Sequence, residues 1–202
     1  HNRCRRQRQM CIRDREIGEA LNNFKSKGKK VISYGDFYFQ NQYLLASYSD
    51  EIILNPFGLV YLEGYKNYRF YLKEALNKID VNINTFIAGD YKSAAEIFTN
   101  SSMSEDSKKE SERFLTSLWE KWKFVVSNNR NTKLSINIQN YIDDIGNLIS
   151  NSNKKGSNLA TDFGLVDSIM NRSDMEEYIF GITNHKKEYF LNFYEYFQVN
   201  EP

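Results

Sequence analysis

The sequence predicts an α/β layered fold with additional helices in its C-terminal half. Helical and strand patterns alternate over the first 87 residues, and the strand candidates are short, β-branched and closed by Gly or Asn-Pro. One long amphipathic pattern followed by shorter helical ones fills the second half. Alternation of this kind argues for mainly parallel pairing, because parallel strands need a crossover, usually a helix, between them.

Taken in order, "HNRCRRQRQMCIRDR" (1–15) holds six arginines, one acid and both cysteines, with no apolar periodicity. Its "MCIRD" resembles a translated transposase adapter from sequencing-library preparation. Residues 1–15 are therefore read as a non-native tail and left out of fold reasoning. From Glu16, the residues Ile17, Ala20, Leu21 and Phe24 form one helical face, and Gly28 stops it. "VISYG" (31–35) reads as a strand, "NQYLLASYS" (41–49) as a helix and "EIILNPFG" (51–58) as a strand closed by an Asn-Pro turn. The stripe Tyr68, Tyr71, Leu72, Ala75, Leu76 and Ile79 predicts a helix over 65–79, and "VNINTFI" (81–87) predicts a strand.

Over 104–130, Phe114, Leu115, Leu118, Trp119, Trp122, Val125 and Val126 recur at helical spacing, with Ser104 as cap and Glu105 and Asp106 in the first turn. Further helices are predicted at 137–150, 157–170 and 173–183, with a polar linker at 151–158. Trp119 and Trp122 lie in line with Leu115, Leu118 and Val126, which places them in the core or between subunits.

The chain has 202 residues and a formal net charge of +1, enough for one domain with a core. Without the tail, 21 basic residues face 25 acidic ones, so the net charge is −4 and the basic arm that could suggest nucleic acid is gone. No cysteine then remains for disulfide or thiolate chemistry. No run approaches the roughly 18–20 apolar residues of a membrane span. With only His1 and His185, a histidine metal site or triad lacks material, and neither GxxxxGK[ST] nor GxGxxG occurs. Asp143 and Asp144 are adjacent on a helix, so they face apart and read as surface.

"FIAGDYKSAAEIFTN" (86–100) carries the chemistry. Ser93 followed by Glu96 ahead of Ile97 and Phe98 is a capping-box pattern, which makes Lys92 the residue before the N-cap. The positive end of a helix disfavours a cation, and partial burial adds to this, so the amine is pushed towards its neutral, basic form. The same placement suits a solvated surface lysine, and the local pattern does not separate the two. Ser93 already has a capping role and points away from its neighbour, so a serine activated by Lys92 lies elsewhere.

Three stretches carry a resemblance to a known family: "FKSKGKKVISYGDFYFQNQYLLASYSDEIILNPFGLVYLEGY" (24–65), "FIAGDYKSAAEIFTNSSMSEDSKKESERFLTSLWEKW" (86–122) and "GLVDSIMNRSDMEEYI" (164–179). With "GDYKSA", the "MS" before the long helix and "GLVD" in this order, the chain resembles the N-terminal half of the protease IV family, the long form of bacterial signal peptide peptidase A. The resemblance implies a Clp protease/crotonase-like ββα spiral with additional C-terminal helices. It implies two tandem domains, with Lys92 as general base in this one and the serine nucleophile in a C-terminal serine domain of the same parent chain. Residues 16–190 correspond to the first domain, and "NFYEYF" (192–197), within 191–202, to the start of the connector.

The resemblance further implies a membrane-associated peptidase acting on hydrophobic peptides such as signal-peptide remnants. It places such a protein at the bacterial inner membrane, on the periplasmic side, as a homo-oligomer, a tetramer in the family. It implies no cofactor and no nucleic-acid partner.

Where the family's serine domain has Ser-Gly-Gly, this chain has Phe39 or Gln40, and the paired glycines that an oxyanion hole would use are missing too. Ser47 and Ser49 read as packing or boundary residues. Ile97 replaces a proline common in the family. Two alternatives stand beside the peptidase reading: a non-catalytic scaffold lobe, and a crotonase-type acyl-CoA enzyme, for which neither an oxyanion hole nor a CoA phosphate pocket is found.

Overall fold

The computed structural model describes residues 2–84, 95–152, 155–183 and 191–199. The expected strand over 81–87 is absent from its described part, 81–84, and its remainder lies outside the described residues. The architecture is α/β. Helix α1 spans Asn2–Ser26, so it runs through the segment read as a tail. Apolar periodicity fails there, but Arg and Gln are good helix formers in their own right. Gly28, at φ 75°, ends the turn as expected, with its N–H donating to the Lys25 carbonyl.

Strands β1 (Ile32–Gly35), β3 (Glu51–Leu54) and β5 (Ser168–Ile169) form a parallel sheet in the order β1-β3-β5. Tyr34 pairs with Ile53, and Ile53 in turn with Ser168. Strands β2 (Tyr38–Phe39) and β4 (Val60–Tyr61) make a second, two-stranded parallel sheet. Helix α2 (Gln40–Ala46) connects the two sheets. The Asn-Pro turn closes as expected, with Gly58 N–H donating to Asn55 O. A Cβ at Gly58 would lie 2.2 Å from Asp36 O, so only glycine fits this approach.

Helix α5 (Glu105–Asn129) begins where the sequence places it, since Ser104 Oγ accepts from Ser107 N–H. Its Trp122 and Val126 are buried against Tyr43, Leu44, Ile52 and Leu54, together with Tyr141 and Ile138 of α6 (Ile138–Ser152). Trp119 stacks on Trp122 with ring centroids 4.9 Å apart, so both tryptophans belong to the core.

Two helical expectations are corrected. Over 65–79 only α3 (Lys73–Lys78) is helical, and Phe70 is 88% exposed. Leu72 N–H donates instead to Ile97 O of α4 (Glu96–Thr99), and α3 and α4 bury no residue, so nothing rewards a longer helix. Over 157–170 the helix α7 (Gly156–Asp162) stops and the chain enters β5. Gly164 takes φ 70° there, with Lys133 O against the position a Cβ would fill. Helices α8 (Arg172–Thr183) and α9 (Phe193–Val199) complete the described chain. Among the described residues no helix is long and apolar enough to cross a membrane.

Candidate active site

Lys92 and Ser93 fall within 85–94, outside the described residues, as does His185. The described chain flanks them closely. Asn84 follows α3, where Asp80 adopts φ 53° and Val81 N–H returns to Leu76 O. On the other side, α4 starts at Glu96 with Ala95 as its N-cap, and the Leu72–Ile97 hydrogen bond of 2.7 Å ties it to the start of α3.

The Glu96 carboxylate departs from the capping-box expectation. It reaches forward to the start of α5: Ser104 Oγ and Ser107 Oγ donate to its Oε1 at 2.5 and 2.9 Å, and Ser104 N–H to Oε2 at a longer 3.5 Å. The Ser104 hydroxyl bond is the main cause holding this carboxyl below its usual range. Burial opposes it, and the Ser107 hydroxyl and the Arg69 charge add to it.

At the point where the resemblance aligns a serine, Phe39 is the N-cap of α2 and its side chain is 56% exposed, edge-on to Tyr61 with centroids 6.3 Å apart. Gln40 is buried. Its backbone carbonyl accepts from Trp122 Nε1 at 3.2 Å and its side-chain oxygen from Glu63 N–H at 3.4 Å. Neither side chain is a nucleophile. Ser47 and Ser49 pack as expected: Ser47 Oγ donates to Leu44 O and accepts from Asn129 Nδ2, and Ser49 Oγ bonds Ser33 Oγ at 2.6 Å.

One charged network was missed by sequence reading. Arg130, at the end of α5, is 1% exposed. Its Nη1 and Nη2 donate to the two Asp167 oxygens at 2.8 and 3.2 Å, and Nη2 also to Gly164 O at 2.7 Å. Asp167 accepts further from Ile52 N–H at 2.8 Å and pairs with Lys133 at 2.6 Å. Burial raises the Asp167 pKa, but these hydrogen bonds outweigh it and hold the carboxyl below its ordinary value. With its lone pairs engaged by structural donors, Asp167 joins α5 to the sheet through the "GLVD" segment. The sequence signal was an arginine ending an apolar helix, with no partner in local view.

Elsewhere, Asp143 and Asp144 are exposed on α6, as read. Among the described residues no group of three or more His, Cys, Asp or Glu side chains could hold a metal ion. An open groove beside α5, lined by residues that include Glu120, Lys123, Phe124 and Ile138, brings together one acid and one amine and is bordered by Ser127.

Comparison with known proteins bears out the protease IV resemblance. The profile of peptidase family S49 matches residues 23–178. Protease 4 of Haemophilus influenzae is 37% identical over 186 residues, covering 89% of this chain and 30% of that protein. Protease 4 of Salmonella typhi is 33% identical over 189 residues, covering 90% of this chain and 30% of that protein. The chain thus spans about 30% of the length of the curated relatives it matches. On this match across most of its length, the chain belongs to peptidase family S49.

Proposed function

We propose that this chain is the base-bearing lobe of a serine/lysine peptidase, with Lys92 as general base and the serine on a further domain of a longer parent chain. The observation that carries the reading is that the family match runs from residue 23 to 178, through Lys92, while Phe39 and Gln40 occupy the position aligned with the nucleophile. The neutral Lys92 amine takes the proton from the serine hydroxyl as its oxygen bonds to the peptide carbonyl carbon. That proton passes to the leaving amine as the C–N bond breaks. Water, deprotonated by the same lysine, then hydrolyses the acyl-enzyme ester.

The fold in this reading is the Clp protease/crotonase-like ββα spiral with additional C-terminal helices, supported by the parallel β1-β3-β5 and β2-β4 sheets. Residues 16–190 form the lobe and 191–202 lead towards the serine domain. The substrates are hydrophobic peptides such as signal-peptide remnants, which suits the exposed aromatics Phe37, Phe39, Phe57 and Tyr61. The protein works at the bacterial inner membrane, on the periplasmic side, as a homo-oligomer.

In the longer protein, Lys92→Ala abolishes peptidase activity and leaves the melting temperature near that of the wild type; retained activity overturns the assignment. The scaffold reading is favoured by the missing serine at Phe39 and Gln40 alone. It predicts that Lys92 titrates near the ordinary value of about 10.4, whereas the base reading requires a clearly lower one. NMR titration of labelled lysine in the longer protein separates them.

A further inference from the structure

A single carboxylate on α4 joins three stretches of chain. Glu96 accepts from the Ser104 and Ser107 hydroxyls at the start of α5, and Arg69, in the chain leading into α3, attracts it by charge. That end of a 25-residue helix carries partial positive charge, which favours an anion. Leu72 N–H in turn ties the start of α3 to Ile97 O of α4.

Apolar packing does little to hold these two helices to the body. Neither buries a residue, and Phe70 and Ile79, on either side of α3, are 88% and 67% exposed. The core cluster that holds Tyr43, Ile52, Leu54, Trp122 and Val126 takes no residue from α3 or α4. Tyr71, just before α3, adds a cost of its own: its hydroxyl is shut off from water and finds no hydrogen-bond partner among the described residues. Such a group regains hydrogen bonds to water when the chain around it opens. Residues 85–94, between the two helices, lie outside the described residues.

We propose that α3 and α4 form a strap poised to lift from the body as one unit: the Glu96 carboxylate latches it to the start of α5, and the buried Tyr71 hydroxyl favours its release. The core stays folded as the strap lifts, because the two share no buried side chain. This holds whether or not Lys92 is the base.

Hydrogen exchange, read amide by amide by NMR on the full 202-residue chain, tests the latch. The N–H groups of Leu72, Val81 and Asn100, bonded to Ile97 O, Leu76 O and Glu96 O, report the strap. Arg130 N–H on Val126 O and Asp167 N–H on Ile52 O report the body. Glu96→Ala is expected to speed strap exchange about tenfold and to leave the body unchanged. Tyr71→Phe is expected to slow strap exchange about fivefold. An unchanged strap in Glu96→Ala overturns the proposal, as does a strap that Tyr71→Phe fails to slow. Equal acceleration of strap and body also overturns it, since the carboxylate then supports the whole fold.

Glu96 and Ser107 belong to one latch, so Glu96→Ala/Ser107→Ala should exchange no faster than Glu96→Ala alone, and additive acceleration overturns the proposal. Should Glu96→Ala fail to fold, Ser107→Ala removes one donor and leaves the Ser104 cap of α5 in place. It is expected to speed the strap by less, and an unchanged strap there overturns the proposal.

Discussion

Ile52, Ile53 and Leu54 of β3 are fully buried, Ile52 and Leu54 in the core cluster that α2 and α5 also enter, whereas α3 and α4, on either side of Lys92 in sequence, bury no residue. The first region is held by hydrocarbon packing and a closed ion-pair network. The second hangs on individual hydrogen bonds: Leu72 to Ile97, and Glu96 to Ser104 and Ser107. Packed cores resist displacement, while lightly packed segments open locally at low cost. The segment that holds Lys92 is thus flanked in sequence by the lightly packed helices α3 and α4, and α4 is tied to the start of α5 through Glu96.

The largest effect that sharpens this contrast is expected at Arg130. Arg130→Ala leaves the Asp167 carboxylate and the Gly164 carbonyl without their guanidinium partner. Breaking a buried pair from one side costs about 3–5 kcal/mol. Urea unfolding should show a lowered midpoint with an unchanged slope. A loss below about 1 kcal/mol, the range of an exposed pair, would mean that the network does not hold the sheet to α5.

Next come truncations on the two sides. Ile52→Ala should cost about 2–5 kcal/mol, as for a fully buried aliphatic residue, while Leu76→Ala on α3 should cost less than about 1 kcal/mol. Equal losses, read by the same unfolding measurement, would break the comparison.

Much of the packed side was legible in the sequence. The β-branched runs at 31–35 and 51–58 gave β1 and β3, and the Ser104 cap with the Trp119 and Trp122 spacing gave α5 nearly to the residue. Those signals are local, and burial rewards them where they stand. The exposed side misled the pattern. The stripe from Tyr68 to Ile79 has helical spacing, but Phe70 and Tyr68 face solvent, so only six residues become helical. At Gly164 a left-handed turn overrode the helical reading of 157–170 because Lys133 O leaves no room for a side chain.

At the candidate site the sequence names a residue, Lys92, that lies outside the described residues, and only the geometry of its neighbours can be compared. Lys92 could be singled out from its neighbours in sequence. Glu96, read as closing a box with Ser93, instead bonds side chains 8 and 11 residues further on. The Arg130–Asp167 pair spans 37 residues and no short-range pattern contains it.

The smallest expected effect is the pH dependence of the packed side. The Asp167 carboxyl sits below its ordinary value of 3.8 in the folded protein, because the donors Arg130, Lys133 and Ile52 N–H outweigh the effect of burial. A depressed carboxyl contributes stability that is fully present above the unfolded value and lost as pH falls through the folded one. Stability should therefore hold from neutral pH down to about pH 5 and decline as the pH falls through 3.8 and below. Asp167→Asn cannot ionise, so its urea midpoint starts lower and should fall less steeply over the same acid range. Parallel acid slopes for the two proteins would show that Asp167 titrates alike folded and unfolded, and that packing alone holds the "GLVD" segment to α5.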